Sequence, residues 1–227
     1  MLRKTGSAYL WLGLVLLLPV STVSARAPSS STNRVSVSVY NDVGVPVRLV
    51  VEAEIIAARV FEQAGVNVRW INCPVVPRDL PDTAICRKAV FPTYFQMRIV
   101  PPDPGLSESS LGVSYMSPDG IGCYSYVFYQ RVAQQRGKEQ NPAALLGHIM
   151  AHEIAHLLLG TNSHSASGIM QAHWYLQELA SANKGALLFT PDQARAMTER
   201  LHESKQNTEN TSALGTKTAR TFEGSDK

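Results

Sequence analysis

The sequence predicts a domain of α+β or α/β class, on three observations. Strand, helix and strand signals follow one another without interruption between Val35 and Ile71, a long helix opens at Asn141-Pro142, and a further capped helix opens at Thr190-Pro191. The chain has 227 residues, 44% hydrophobic and 17% charged, a composition that excludes fibrous and wholly disordered classes. Its 21 Lys and Arg against 18 Asp and Glu give a net charge of +3, evenly spread. Nucleic-acid binders carry a clustered basic face, so no nucleic-acid partner is expected.

The elements can be justified in order. Val35 to Tyr40 alternates apolar and small polar residues with period 2, the pattern of a half-buried strand. From Val47 to Ala64 apolar residues recur at helical spacing, and Gly65 supplies a stop. Val66 to Ile71 reads as a second strand, and a helical crossover of this length favours parallel pairing with the first. A proline-rich loop leads to a third strand, Tyr94 to Val100, ended by Pro101-Pro102. Leu111 to Met116 is a short fourth, followed by the turn Ser117-Pro118-Asp119-Gly120. Cys123 to Val132, rich in aromatic residues, reads as a fifth strand inside the sheet. Asn141 as N-cap with Pro142 at the first helical position starts a helix that should reach Leu159, where Gly160 can end it. Thr190 and Gln193 form a capping box around Pro191, opening a helix expected to end near His202.

The two ends read differently. Arg3 and Lys4, an apolar stretch from Ala8 to Val20 and the small residues Val23-Ser24-Ala25 describe a secretory signal over residues 1–25, cleaved after Ala25. The apolar stretch is too short to span a bilayer, so no stable membrane insertion is expected after cleavage. Removing two cations lowers the net charge to +1. Residues 26–33 are then a short linker, 34–202 the domain, and 203–227, poor in large apolar side chains, a disordered tail. Export, to the periplasm or as a secreted protein, means an oxidising compartment. Cys73 and Cys86 flank a loop whose closure by a disulfide contributes about 3 kcal/mol, leaving Cys123 as a buried, unreactive thiol.

Five of the six histidines (His148, His152, His156, His164, His173) crowd into 26 residues. His152-Glu153-Ile154-Ala155-His156 lies within the long helix, where a spacing of four puts both imidazoles on one face with the carboxylate beside them. Two neutral nitrogen ligands and a carboxylate to take a proton from a metal-activated water are what zinc hydrolysis needs. A pair of ordinary core histidines is the competing account, but the apolar flanks, from Leu145 to Leu158, bury these groups, and burying them without partners is costly. His148 lies about 12 Å from His156 along the helix, too far to share its ion.

Downstream stand Gly160, His164 and Gly168-Ile169-Met170. With His152, Glu153 and His156 these resemble the metzincin clan of zinc metallopeptidases, whose motif HExxHxxGxxH is followed by a methionine-containing turn. The order of elements is similar as well, over nearly the whole chain after the signal. The resemblance implies a metzincin-like catalytic domain: a mixed twisted sheet with an active-site helix and a C-terminal helix. It implies Zn2+ on His152, His156 and His164, Glu153 as general base, Met170 as an apolar floor, and a peptide or protein substrate bound along the edge strand at Leu111 to Met116. Gly160 and His164 each come one residue later than in the family pattern, and Ala172 stands where astacin-like members have a tyrosine. Tyr175 or His173 are then the candidates for oxyanion help.

Two other readings compete. A gluzincin-type site would use Glu178 as third ligand in place of His164. A non-catalytic exported module would keep a structural zinc, although such sites are normally closed by four protein ligands, often cysteines, and none lies near the motif. The sequence specifies neither substrate side chains nor oligomeric state.

Overall fold

The computed structural model describes residues 33–75, 81–135 and 141–222. The signal segment 1–25 and all but the last residue of the linker lie outside the described residues. The chain forms a five-stranded sheet of order β2-β1-β3-β5-β4 with helices packed on it. β1 (Arg34–Asn41), β2 (Asn67–Cys73), β3 (Tyr94–Val100) and β5 (Tyr124–Phe128) are parallel, and β4 (Gly112–Tyr115) runs antiparallel to β5 at the edge. It is a mixed α/β fold, as expected.

Helix α1 (Val47–Gln63) connects β1 to β2 as a crossover, and it packs on the sheet beside α3 (Pro142–Leu159). The alternation seen in the sequence decides which face they cover. Val35, Val37 and Val39 of β1 and Phe95, Met97 and Ile99 of β3 are buried on the helix side. The intervening residues look the other way: Arg98 makes a bidentate pair with Asp42, and Tyr40 donates to the carbonyl of Cys86. Cys86 lies in the 3-10 turn Pro81–Arg87, tied to the end of β2 by the Cys73–Cys86 disulfide.

α3 is apolar on all sides and is the central helix, with every residue from Ala143 to Leu158 buried. Both of its ends are as the sequence signals. Asn141 Oδ1 accepts from Ala143 N (2.9 Å) and Ala144 N (3.4 Å), and Gly160 closes the helix in the left-handed region, φ 66°. The capping box at the last helix, α5 (Pro191–Phe222), is also formed, with Thr190 N donating to Gln193 Oε1 (2.9 Å) and Gln193 N to Thr190 Oγ1 (3.3 Å).

Three elements differ from expectation. β5 stops at Phe128, and Tyr129–Gln134 forms a short helix, α2, because Arg131 turns inward to bond backbone carbonyls of the loop after β3. A helix α4 (Leu176–Asn183), capped by Glu178, lies in a stretch without a strong apolar period. The disordered tail expected at 203–227 is corrected: α5 continues past His202 to Phe222, and 223–227 lie outside the described residues. No proline follows Pro191, and each added residue extends a nucleated helix without a new nucleation cost.

Candidate metal centre

The centre is assembled from α3 and the loop that follows it. His152 and His156, 7% and 4% exposed, project from one face of α3. Gly160 ends the helix, and residues 161–164 bring His164 back so that one ligand nitrogen from each of the three histidines lies within 4.8 Å of the others. The additional residue on either side of Gly160 is therefore accommodated within the turn. His164 is the most exposed of the three and stacks on His152 with ring centroids 5.4 Å apart.

Each helical imidazole is oriented by a backbone carbonyl. His152 Nδ1 lies 2.7 Å from the carbonyl of Ile169, and His156 Nδ1 lies 2.8 Å from that of Thr161. Carbonyls only accept, so both rings carry their proton on Nδ1, as assigned from these partners, and present a lone pair at Nε2. The two Nε2 atoms face each other at 3.0 Å. Neither has a proton to offer the other, and burial followed by the neighbouring His156 pushes the His152 pKa down to about 3, which disfavours a shared proton. Facing lone pairs of this kind suit a metal cation. A tetrahedral site with Zn–N of about 2.0–2.1 Å needs nitrogens about 3.3 Å apart, so the donor set fits zinc. Burial also lowers the pKa of His156 and His164, keeping both neutral and able to ligate.

The turn over 168–170 positions the carbonyl that orients His152. Gly168 has φ 75°, Ile169 N donates to Leu188 O (2.9 Å), and Ser165 N donates to Met170 O (2.8 Å). This clamp holds the Ile169 carbonyl, which also accepts from Trp174 Nε1 at 3.2 Å. Met170 is 1% exposed, its carbonyl part of the same clamp. Gln193 Nε2 bonds Ser165 Oγ (3.0 Å), linking the turn to α5.

Glu153 is 5% exposed and points toward β4, where Ser114 Oγ lies 2.8 Å from its Oε2. Burial raises its pKa to about 8, against the lowering effect of that hydrogen bond. A cleft of roughly 750 Å³ opens over Glu153 and the three histidines, walled by Leu111 to Ser114 on one side and Gln171 to Tyr175 on the other. Ser107 and Ser110 contribute to the first wall, and their carbonyls are held by Arg131 Nη1 at 2.7 and 3.0 Å.

The remaining sequence candidates fall outside the histidine group. Glu178 Oε2 accepts from Tyr175 N (3.0 Å) as the cap of α4, and the group is completed by His164 instead. His148 is fully buried, its Nδ1 2.7 Å from Ala144 O and its Nε2 without a hydrogen-bond partner. His173 and Tyr175 line the cleft, Tyr175 well exposed at its rim. Cys123, expected buried, is half-buried, and burial raises its thiol pKa. Sequence reasoning missed Ser114, Trp174 and Arg131. Ser114 carried one signal, a small polar residue on the inward face of an otherwise apolar edge strand.

Fold and site together define a mixed α/β domain bearing a three-histidine group able to hold a metal ion. No family model matches the chain, and no curated protein matches it in sequence. Among solved structures it is similar to the crystal structure of an archaemetzincin from Methanopyrus kandleri, with 15% identity and a TM-score of 0.46. That alignment covers 78% of this chain and 99% of the other.

Proposed function

We propose that this chain is an exported zinc-dependent endopeptidase, with His152, His156 and His164 holding Zn2+ and Glu153 acting as general base. The observation that carries the reading is the pair of facing Nε2 lone pairs at 3.0 Å, each ring locked by a backbone carbonyl, with a third imidazole beside them and a carboxyl one residue away. Bound zinc supplies a Lewis acid that polarises a peptide carbonyl and lowers the pKa of water. Glu153 takes the proton of the attacking water and passes it to the leaving amine. Ile149 gives the cleft an apolar wall, and β4, an edge strand along the cleft, offers its free side to an extended peptide.

Hydrolysis of denatured casein, abolished by a chelator and by Glu153→Ala, is the expected result. Hydrolysis that persists in Glu153→Ala removes the general-base role, and zinc bound without any hydrolysis favours a non-catalytic module. His164→Ala should lose zinc while Glu178→Ala keeps it; the reverse supports a gluzincin-type site. Export by residues 1–25 agrees with the Cys73–Cys86 disulfide, which belongs to an oxidising compartment. N-terminal sequencing of the exported protein should begin at Arg26.

A further inference from the structure

Two small residues on β4 act on the carboxyl of Glu153. Ser114 Oγ lies 2.8 Å from Glu153 Oε2 and 2.7 Å from the backbone carbonyl of the same residue, and both residues are 5% exposed. Gly112, two positions earlier on the same face of the strand, acts through its lack of a side chain. A Cβ there would stand 2.5 Å from Glu153 Oε1 and 2.7 Å from its Cγ and Cδ. Gly112 is not among the glycines with positive φ, so its backbone is one that any residue adopts. What calls for glycine at this point is the volume of the carboxyl.

The hydrogen bonds of Ser114 have a second consequence. A hydroxyl carries one proton, accepts at two sites, and turns about its C–O bond. Facing a carboxylate, Ser114 donates to Oε2. Facing a carboxylic acid, it accepts from Oε2–H and sends its own proton to the Glu153 carbonyl. Both arrangements use the same heavy-atom positions. A general base passes through both states in every turnover, and here its partner follows by rotating one hydrogen.

We propose that Ser114 and Gly112 are positioning residues for Glu153. Ser114 holds the carboxyl in one place through its bond to Oε2, and Gly112 leaves open the space that the carboxyl occupies. The proposal rests on the peptidase reading above. Its alternative is that Ser114 merely satisfies a buried oxygen, with no bearing on turnover.

The test uses the full exported chain loaded with one equivalent of zinc, casein as substrate, and the variants Ser114→Ala, Ser114→Thr and Gly112→Ala. A misplacement of about 1 Å costs on the order of 100-fold in rate. Ser114→Ala should lower kcat about 10- to 100-fold with KM within about twofold. Ser114→Thr, which keeps the hydroxyl, should recover most of that loss, and Gly112→Ala should lose at least as much as Ser114→Ala. Zinc affinity, measured by chelator competition, should stay at the wild-type value in all three. Crystal structures should show the Glu153 carboxyl in more than one rotamer in Ser114→Ala and displaced in Gly112→Ala. Wild-type kcat in Ser114→Ala, an effect confined to KM, or an unmoved Glu153 in both structures overturns the proposal. If hydrolysis stops in Glu153→Ala yet ignores both β4 substitutions, only the positioning role falls. If hydrolysis survives Glu153→Ala, the peptidase reading falls and takes the proposal with it.

Discussion

Two buried glutamates separate the functional half of this molecule from its structural half. Glu153 on α3 and Glu54 on α1 are nearly equally hidden, at 5% and 6% exposure, and desolvation raises both pKa values, to about 8 and about 7. Each has one oxygen bonded to a polar side chain of the sheet, Ser114 in one case and Asn72 at 3.0 Å in the other. They part at the second oxygen. Glu153 lines a cleft together with three imidazoles, while the second oxygen of Glu54 is sealed without a hydrogen-bond partner. A raised pKa thus records burial alone, and chemistry depends on what the carboxyl can reach.

The largest expected difference is in turnover. Glu153→Gln should lower kcat by about 100- to 10,000-fold, the usual contribution of a general base, while retaining zinc. Glu54→Gln should leave kcat within about twofold of wild type. Equal losses in casein assays of the two variants would erase the distinction.

Stability should invert the ranking. Glu54 in the folded state holds its proton up to about pH 7, whereas an unfolded glutamate releases it near 4.5. Between those values the unfolded state binds fewer protons, so Glu54 makes stability fall as pH rises through the window, by up to about 3 kcal/mol. Glu54→Gln should remove that slope and be more stable than wild type at pH 8. The difference between the two Tm-against-pH curves measures it, and parallel curves would show that Glu54 is solvated.

A smaller effect sharpens why the histidine side can hold a metal. Gly168→Ala places a Cβ 2.8 Å from Leu188 O at a φ that L-residues avoid, and so displaces the Ile169 carbonyl that orients His152. Zinc affinity by chelator competition should weaken about 10- to 100-fold, the range for partners behind metal ligands. The smallest effect belongs to Cys123, whose half-buried thiol has its pKa raised by burial. It should react slowly with thiol reagents in the folded protein, and Cys123→Ser should leave kcat unchanged.

Legibility followed the range of the interaction. The helix over 142–159 was readable at both ends because Asn141, Pro142 and Gly160 act on neighbouring backbone groups, and the third strand because its alternation runs from Tyr94 to Val100. His152, Glu153 and His156 were readable because one helical turn places them together. α2 was not, because Tyr129 to Gln134 continues from an aromatic strand run with no Gly or Pro to mark a break and turns helical around Arg131, whose carbonyl partners lie 21 to 28 residues away. The cap at Glu178 was hidden for a related reason: a single glutamate after Tyr175 serves equally as ligand or cap until its surroundings are set.

By itself, then, the sequence determined the order of the five strands and three long helices, both ends of α3, the pairing of Cys73 with Cys86 and the two imidazoles on one helix face, all consequences of local propensity, capping or loop closure. Only the tertiary structure decided that His164 returns to within 4.8 Å of them, that Ile169 and Thr161 carbonyls set their tautomers, and that Ser114, with Gly112 on the same strand, meets Glu153 across 39 residues of chain. Those contacts join separate elements through single atoms. No periodicity encodes them, and they exist only once the sheet edge has been packed against α3.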